Sequence, residues 1–202
     1  MKNTFLYLTF LIGVSFCCLD CNNSSSQQEN DIVLTSEESV MYLAKGKEVA
    51  AASFIALSQQ LQKAVKEGGI PNAIQYCNVA ALPITDSLAI QHQATIRRTS
   101  SKNRNTKNRP TDLEQSVLAE YAEKAKEGHD LKPIVKPLDD QKVVFYAPIK
   151  VNGFCLNCHG KLDGTLTLEN HQIIKKYYPN DKAIGYVDGE LRGIWSIQLS
   201  KK

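Results

Sequence analysis

The stretch with the most specific chemistry in this chain is Cys155-Leu156-Asn157-Cys158-His159. Two thiols three positions apart can add across the two vinyl groups on one edge of a porphyrin, while the adjoining imidazole turns back to bind iron. The pentad therefore predicts one covalent haem c, with Cys155 and Cys158 as thioether sites and His159 as the proximal ligand. At this chain's own cysteine and histidine frequencies, such a pentad arises by chance about four times per thousand chains. Accident is a poor explanation.

Three other uses of these residues compete. A redox dithiol would also show CxxC, but nothing thioredoxin-like surrounds this one, which follows a strand and precedes a glycine-rich turn. Zinc would need a fourth donor, and Cys77 with Cys155, Cys158 and His159 makes a Cys3His set. A disulfide between Cys155 and Cys158 would close only a very small loop.

A six-coordinate iron needs a second axial ligand. Met41 lies in a helical apolar pattern and is expected in the core. His92 and His129 stand in polar contexts, and His171 is near enough to the pentad to be considered. Cys77 has no obvious disulfide partner, and an unpaired thiol in an oxidising compartment invites a use such as iron ligation. From the residues alone, Cys77 and a histidine stand level.

Arg97, Arg98, Lys102, Arg104, Lys107 and Arg109 crowd one segment. Guanidinium forks suit carboxylates, so Arg97, Arg98 and Arg104 are the candidates for contact with the two haem propionates. An ordinary solvated basic loop is the plainer reading. Nucleic acid is a poor partner for it: the loop has no interleaved aromatics and the formal net charge is only +3.

The elements that must position these residues are legible in outline. Lys2 precedes an apolar run from Phe5 to Phe16, too short to span a bilayer, which reads as the core of a signal peptide over residues 1–21. Cys17, Cys18 and Cys21 suggest a lipoprotein junction, although Phe16, Cys17 and Asp20 stand where a small residue should precede the lipidated cysteine. Residues 22–34 form a polar tether, leaving 35–202 as the haem domain. The expected location is periplasmic or the outer face of a bacterial membrane, reached through a lipid anchor.

Thr35 with Glu38 fits a capping box. A long amphipathic helix through Val40, Met41, Leu43, Val49, Phe54, Leu57 and Ala64 should stop at Gly68-Gly69. Pro71 should open a second helix carrying Cys77, kinked or divided at Pro83. Residues 94–98 make a short strand, Thr99 to Pro110 a loop, and Thr111 to Glu127 a third helix. Val143, Phe145, Ala147, Ile149 and Val151 alternate as a strand. So do Leu191, Gly193, Trp195, Ile197 and Leu199, entered from a hairpin turn at Asp188-Gly189. Helices followed by antiparallel strands make the fold class α+β.

Ordered signatures over about Ser36 to Leu199 carry a resemblance. They are Ala73-Ile74-Gln75-Tyr76-Cys77-Asn78-Val79-Ala80, Ile96-Arg97-Arg98-Thr99-Ser100, and Asn103-Arg104-Asn105 with Pro110. Then come Cys155 to Gly160, Tyr178-Pro179-Asn180-Asp181, and Gly185-Tyr186 with Gly189-Glu190-Leu191-Arg192-Gly193. The chain resembles the c-type haem family built on the Tll-like domain. That resemblance implies a PAS-like domain with long N-terminal helices and an antiparallel sheet. It also implies an iron held between Cys77 and His159, and it supports the arginine assignments. Thr106 departs from the family's usual Arg-Asn-Pro.

A thiolate neutralises ferric better than ferrous iron, so this ligand pair implies a low reduction potential. A sensory domain is expected first, with reduction or a diatomic gas displacing Cys77. No kinase or methyl-accepting region follows in the chain, so a separate redox or signalling protein is the expected partner. A low-potential electron-transfer cytochrome is the second expectation and a zinc-stabilised interaction domain the third. No acid–base or nucleophile constellation appears; Asp163, Asp181 and Asp188 read as turn residues. No enzyme is expected.

Overall fold

A computed structural model describes residues 32–201; the expected signal peptide and most of the tether lie outside them. Helix α1 runs Ser36–His92, and the expected capping box closes it. The Thr35 hydroxyl accepts the Glu38 N–H at 3.1 Å, while Glu38 accepts the Thr35 N–H at 2.8 Å. Helical geometry breaks where expected, at Gly68 and Gly69. Gly69 has φ +71°, a left-handed conformation that costs glycine little. The Asn72 side chain bridges the break by donating to the Ala64 carbonyl at 2.8 Å.

Pro83 does not divide the second half, which keeps helical dihedrals to its end. This proline is exposed, beside exposed Val79, so water can serve the carbonyl that its ring leaves without a donor.

Four antiparallel strands form the sheet: β1 (Ala94–Thr99), β2 (Ile134–Pro137), β3 (Lys142–Lys150) and β4 (Leu191–Ser200), in the order β1-β4-β3-β2. Helix α2 (Asp112–Lys126) starts from a second capping box, Thr111 with Glu114. Strand alternation sorts the core. Val143, Phe145 and Ala147, with Trp195, Ile197 and Leu199, pack on Tyr42, Val49 and Ala50 of α1. Val144, Tyr146 and Ile194 pack on Val117, Leu118 and Tyr121 of α2. The sheet thus lies between α1 and α2, an α+β arrangement.

Which face α1 buries differs from the apolar pattern. Tyr42, Gly46, Val49, Ala50 and Ser53 are buried, whereas Val40, Met41 and Phe54 are exposed; Met41 is not core. Close approach decides this: a Cβ on Gly46 would overlap the Phe145 ring, so the small-residue stripe is the one that meets the sheet. Ser53 satisfies its own hydroxyl by donating to the Val49 carbonyl at 2.8 Å.

Two short helices, α3 (Leu156–His159) and α4 (Leu168–Tyr177), lie between β3 and β4. They make a third, smaller core in which Ile74 of α1 meets Leu166, Ile174 and Tyr178, with Cys158 packed against it. Strand β2 (four residues) and helix α4, which is capped by Thr167, are elements the sequence expectations do not include. The turn at Asp188-Gly189 is real, with φ +81° at Gly189, but it does not join adjacent hairpin strands. It returns the chain to β3 after an excursion of some forty residues, with Gly189 N–H donating to Val151 O at 2.9 Å.

Candidate functional site

The pentad leaves β3 through a single 3-10 turn, Gly153–Cys155, where Asn152 accepts the Cys155 N–H at 3.2 Å. Cys158 and His159 follow on α3, so one turn of helix presents both cysteines and the imidazole together. All three are half-buried, and Cys77, Cys155 and Cys158 are free thiols.

His159 is held from behind. Its Nδ1 lies 2.7 Å from the Ala183 carbonyl oxygen, which can only accept, so the proton sits on Nδ1 and the Nε2 lone pair is left for a metal. Burial holds the imidazole pKa well below its ordinary value, and the charges of Arg104 and Arg192 add to this against the Ala183 bond. A neutral imidazole is the form that ligates. Tyr186 stands edge-on to the ring, centroids 6.3 Å apart. Gly160 follows because a Cβ there would overlap the Thr165 side chain.

Segment 181–186 forms the wall behind His159. Gly185 N–H donates to Gly160 O at 2.8 Å and Tyr186 N–H to His159 O at 3.0 Å. Arg104 locks it in place, with Nη2 donating to the Cys158 carbonyl at 2.6 Å and to the Ala183 carbonyl at 3.2 Å. Its fork also meets both oxygens of Asp181 at 3.2 Å, and Asp181 Oδ1 accepts the Ala183 N–H at 2.9 Å. Asp181 closes the expected turn, its N–H donating to Tyr178 O at 2.9 Å, and its side chain, 1% exposed, is in addition a buried counter-charge. The departure at Thr106 is absorbed locally: Thr106–Asn108 is a 3-10 turn, capped by Asn105 accepting the Lys107 N–H.

The three candidate arginines have three different placements. Arg97 and Arg98 are neighbours in β1 and point to opposite faces. Arg97 is engaged on the α2 side, its Nε and Nη2 donating to Glu114 at 2.9 and 3.2 Å and Nη2 to Arg109 O at 2.8 Å. Arg104 serves as the lock just described. Arg98 stands 5.7 Å from the Trp195 ring centroid on the α1 side of the sheet, and of the three it is the one with no carboxylate paired to it among the described residues. Burial raises the Cys77 thiol pKa, while Arg98 and then Arg104 work against that rise. Burial likewise pushes Cys158 up to about 11.

Cys77, Cys158, His159, Arg98 and Arg104 thus share one electrostatic neighbourhood, although they come from α1, β1, its following loop and α3. Lys107 and Arg109 stay exposed, as does His129. The Cys3His zinc arrangement is not assembled: among the described residues no three His, Cys, Asp or Glu side chains are grouped to hold a metal ion. Arg192, Tyr178 and Tyr186 had no assigned role from sequence. Their one signal was that they fell inside the ordered signatures.

The family described as Tll0287-like matches residues 25–200 of the chain. Among solved structures, the fold is similar to the crystal structure of the cyanobacterial heme-protein Tll0287. The likeness has a TM-score of 0.56 and 20% identity, and it covers 84% of this chain and 98% of that one. No curated protein matches the chain. With the matched segment reaching from ahead of α1 to the end of β4, the chain belongs to the Tll0287-like family.

Proposed function

We propose that this is an exported protein holding one covalent haem c, attached through Cys155 and Cys158, with His159 and Cys77 as axial ligands. The observation that carries this reading is the 2.7 Å contact between His159 Nδ1 and Ala183 O, which leaves the Nε2 lone pair of the pentad histidine available to a metal. The relative's haem supports it, as does the place of Cys77 in the same neighbourhood as His159. Bound haem supplies one-electron redox chemistry and a site for diatomic gases.

The first role proposed is a redox or gas-responsive sensor on a PAS-like frame. Cys77 stands beyond the Gly68–Gly69 break, on the half of α1 that meets α4 through Ile74 and the sheet core through Leu88 and Ala89, so a move at Cys77 would be felt by both. Release of Cys77 would be read by a separate signalling or redox protein. Exposed Phe154, next to Cys155, favours a second role as a low-potential electron-transfer cytochrome, since it sets the attachment edge near the surface. We place the protein in the periplasm or on the outer face of a bacterial membrane, with Cys17, Cys18 and Cys21 as the candidates for a lipid anchor, and assign it no enzymatic activity.

The test is the absorption spectrum of protein made with the haem-attachment machinery, beside Cys77→Ser. Covalent haem with a ferric spectrum altered by Cys77→Ser is expected. An unchanged ferric spectrum removes Cys77 from the iron, and absence of covalent haem removes the reading. A ferrous spectrum unmoved by carbon monoxide or nitric oxide would exclude gas sensing.

A further inference from the structure

Arg192 enters β4 at an irregularity. Ile149 pairs with Gly193 and Lys150 with Leu191, so Arg192 is the extra residue of a β-bulge. The bulge changes the phase of the strand: Leu191, expected on the same face as Trp195, packs instead against the α2-side core. Bulges commonly re-aim one side chain beside a functional site, and Arg192 is the side chain re-aimed here. Its guanidinium lies 5.5 Å from the Tyr186 ring centroid, and that ring is the one edge-on to His159.

We infer that Arg192 and Arg98 together form the clamp for two carboxylates, those of the haem propionates. This rests on the haem reading above. Of the four arginines around this end of the sheet, Arg97 is compensated by Glu114 and Arg104 by Asp181. Arg98 and Arg192 have no ion pair among the described residues. Arg192 Nη1 donates to the Lys102 carbonyl at 3.1 Å, but among the described residues its buried Nε has no hydrogen-bond partner. A buried donor without a partner forfeits its hydration for nothing, and native structures rarely leave one so in the working state.

The electrostatics agree with the geometry. Burial is the largest influence on both arginines and lowers their pKa; Arg192 adds to this at Arg98 against Cys77 and Tyr178, and Arg104 adds to it at Arg192 against Tyr186 and Asp181. Asp181, the carboxylate that acts on Arg192, already has both oxygens on Arg104. Two largely buried guanidinium forks beside His159, neither in an ion pair among the described residues, are suited to two further negative charges. The propionates have that number, and each offers the planar pair of oxygens that a guanidinium binds best.

The experiment is resonance Raman spectroscopy of haem-loaded Arg98→Gln, Arg192→Gln and Arg192→Lys, with exposed Arg109→Gln as control. Covalent haem content is checked in each by the pyridine haemochrome spectrum. The propionate bending bands are expected to shift in both Gln variants, to shift less in Arg192→Lys, and to stay in place in Arg109→Gln. If Arg192→Gln does not accumulate, Arg192→Lys and Arg98→Gln carry the same comparison. Unshifted bands at full haem content overturn the clamp and leave the haem reading intact. A wild-type protein without covalent haem overturns both.

Discussion

His159 Nδ1 and Arg104 Nη2 share one acceptor, the carbonyl oxygen of Ala183, at 2.7 and 3.2 Å. The imidazole is therefore oriented by a backbone oxygen that a buried ion pair keeps in position, since Arg104 also holds Asp181 and Asp181 holds the Ala183 N–H. The lock links the basic loop, the pentad and the 181–186 wall.

Breaking that lock should cost stability in a coupled way. Asp181→Asn and Arg104→Gln are each expected to lower unfolding free energy by about 3 kcal/mol, because either leaves a buried partner unpaired. The double variant should fall well short of the sum, with a coupling of about 1–3 kcal/mol. Denaturant melts of the four proteins measure it, and strict additivity would show that the pair does not act as a unit.

Glu114 gives the fold a defined acid sensitivity. Burial opposes its ionisation, but hydrogen bonds from Arg97, the Thr111 N–H and Ser196 outweigh burial and hold the carboxyl below its ordinary value. A depressed carboxylate stabilises the fold above its unfolded pKa, about 4.3, and that contribution is lost as pH falls through the folded value. Glu114→Gln should be less stable than wild type by about 2–3 kcal/mol at pH 7. The gap should narrow below about pH 4. Melting midpoints from pH 7 to 3 test this, and a constant gap would place the acid-sensitive group elsewhere.

Gly46→Ala should destabilise by about 1–3 kcal/mol although alanine favours helix, because its methyl would drive α1 off Phe145. Phe145→Leu in the same background should recover part of the loss by making room. A neutral Gly46→Ala would mean that α1 does not sit on that ring.

Sequence alone determined what depends on neighbours along the chain. The pentad's chemistry needs three residues within five positions, and the two capping boxes need partners three apart. The break at Gly68–Gly69 needs only residues free of Cβ constraints. The alternation of β3 was legible for the same reason. Tertiary structure decided what depends on distance across the fold. A run of arginines has no direction until β1 assigns Arg97 and Arg98 to opposite faces. Asp181 is legible as a turn residue, but its second role as a buried counter-charge waits for Arg104, 77 positions away. The buried face of α1 follows the small residues that allow contact with Phe145, rather than the most apolar stripe. Arg192 is aimed by a bulge, which exists only when two strands are paired and one has a residue to spare.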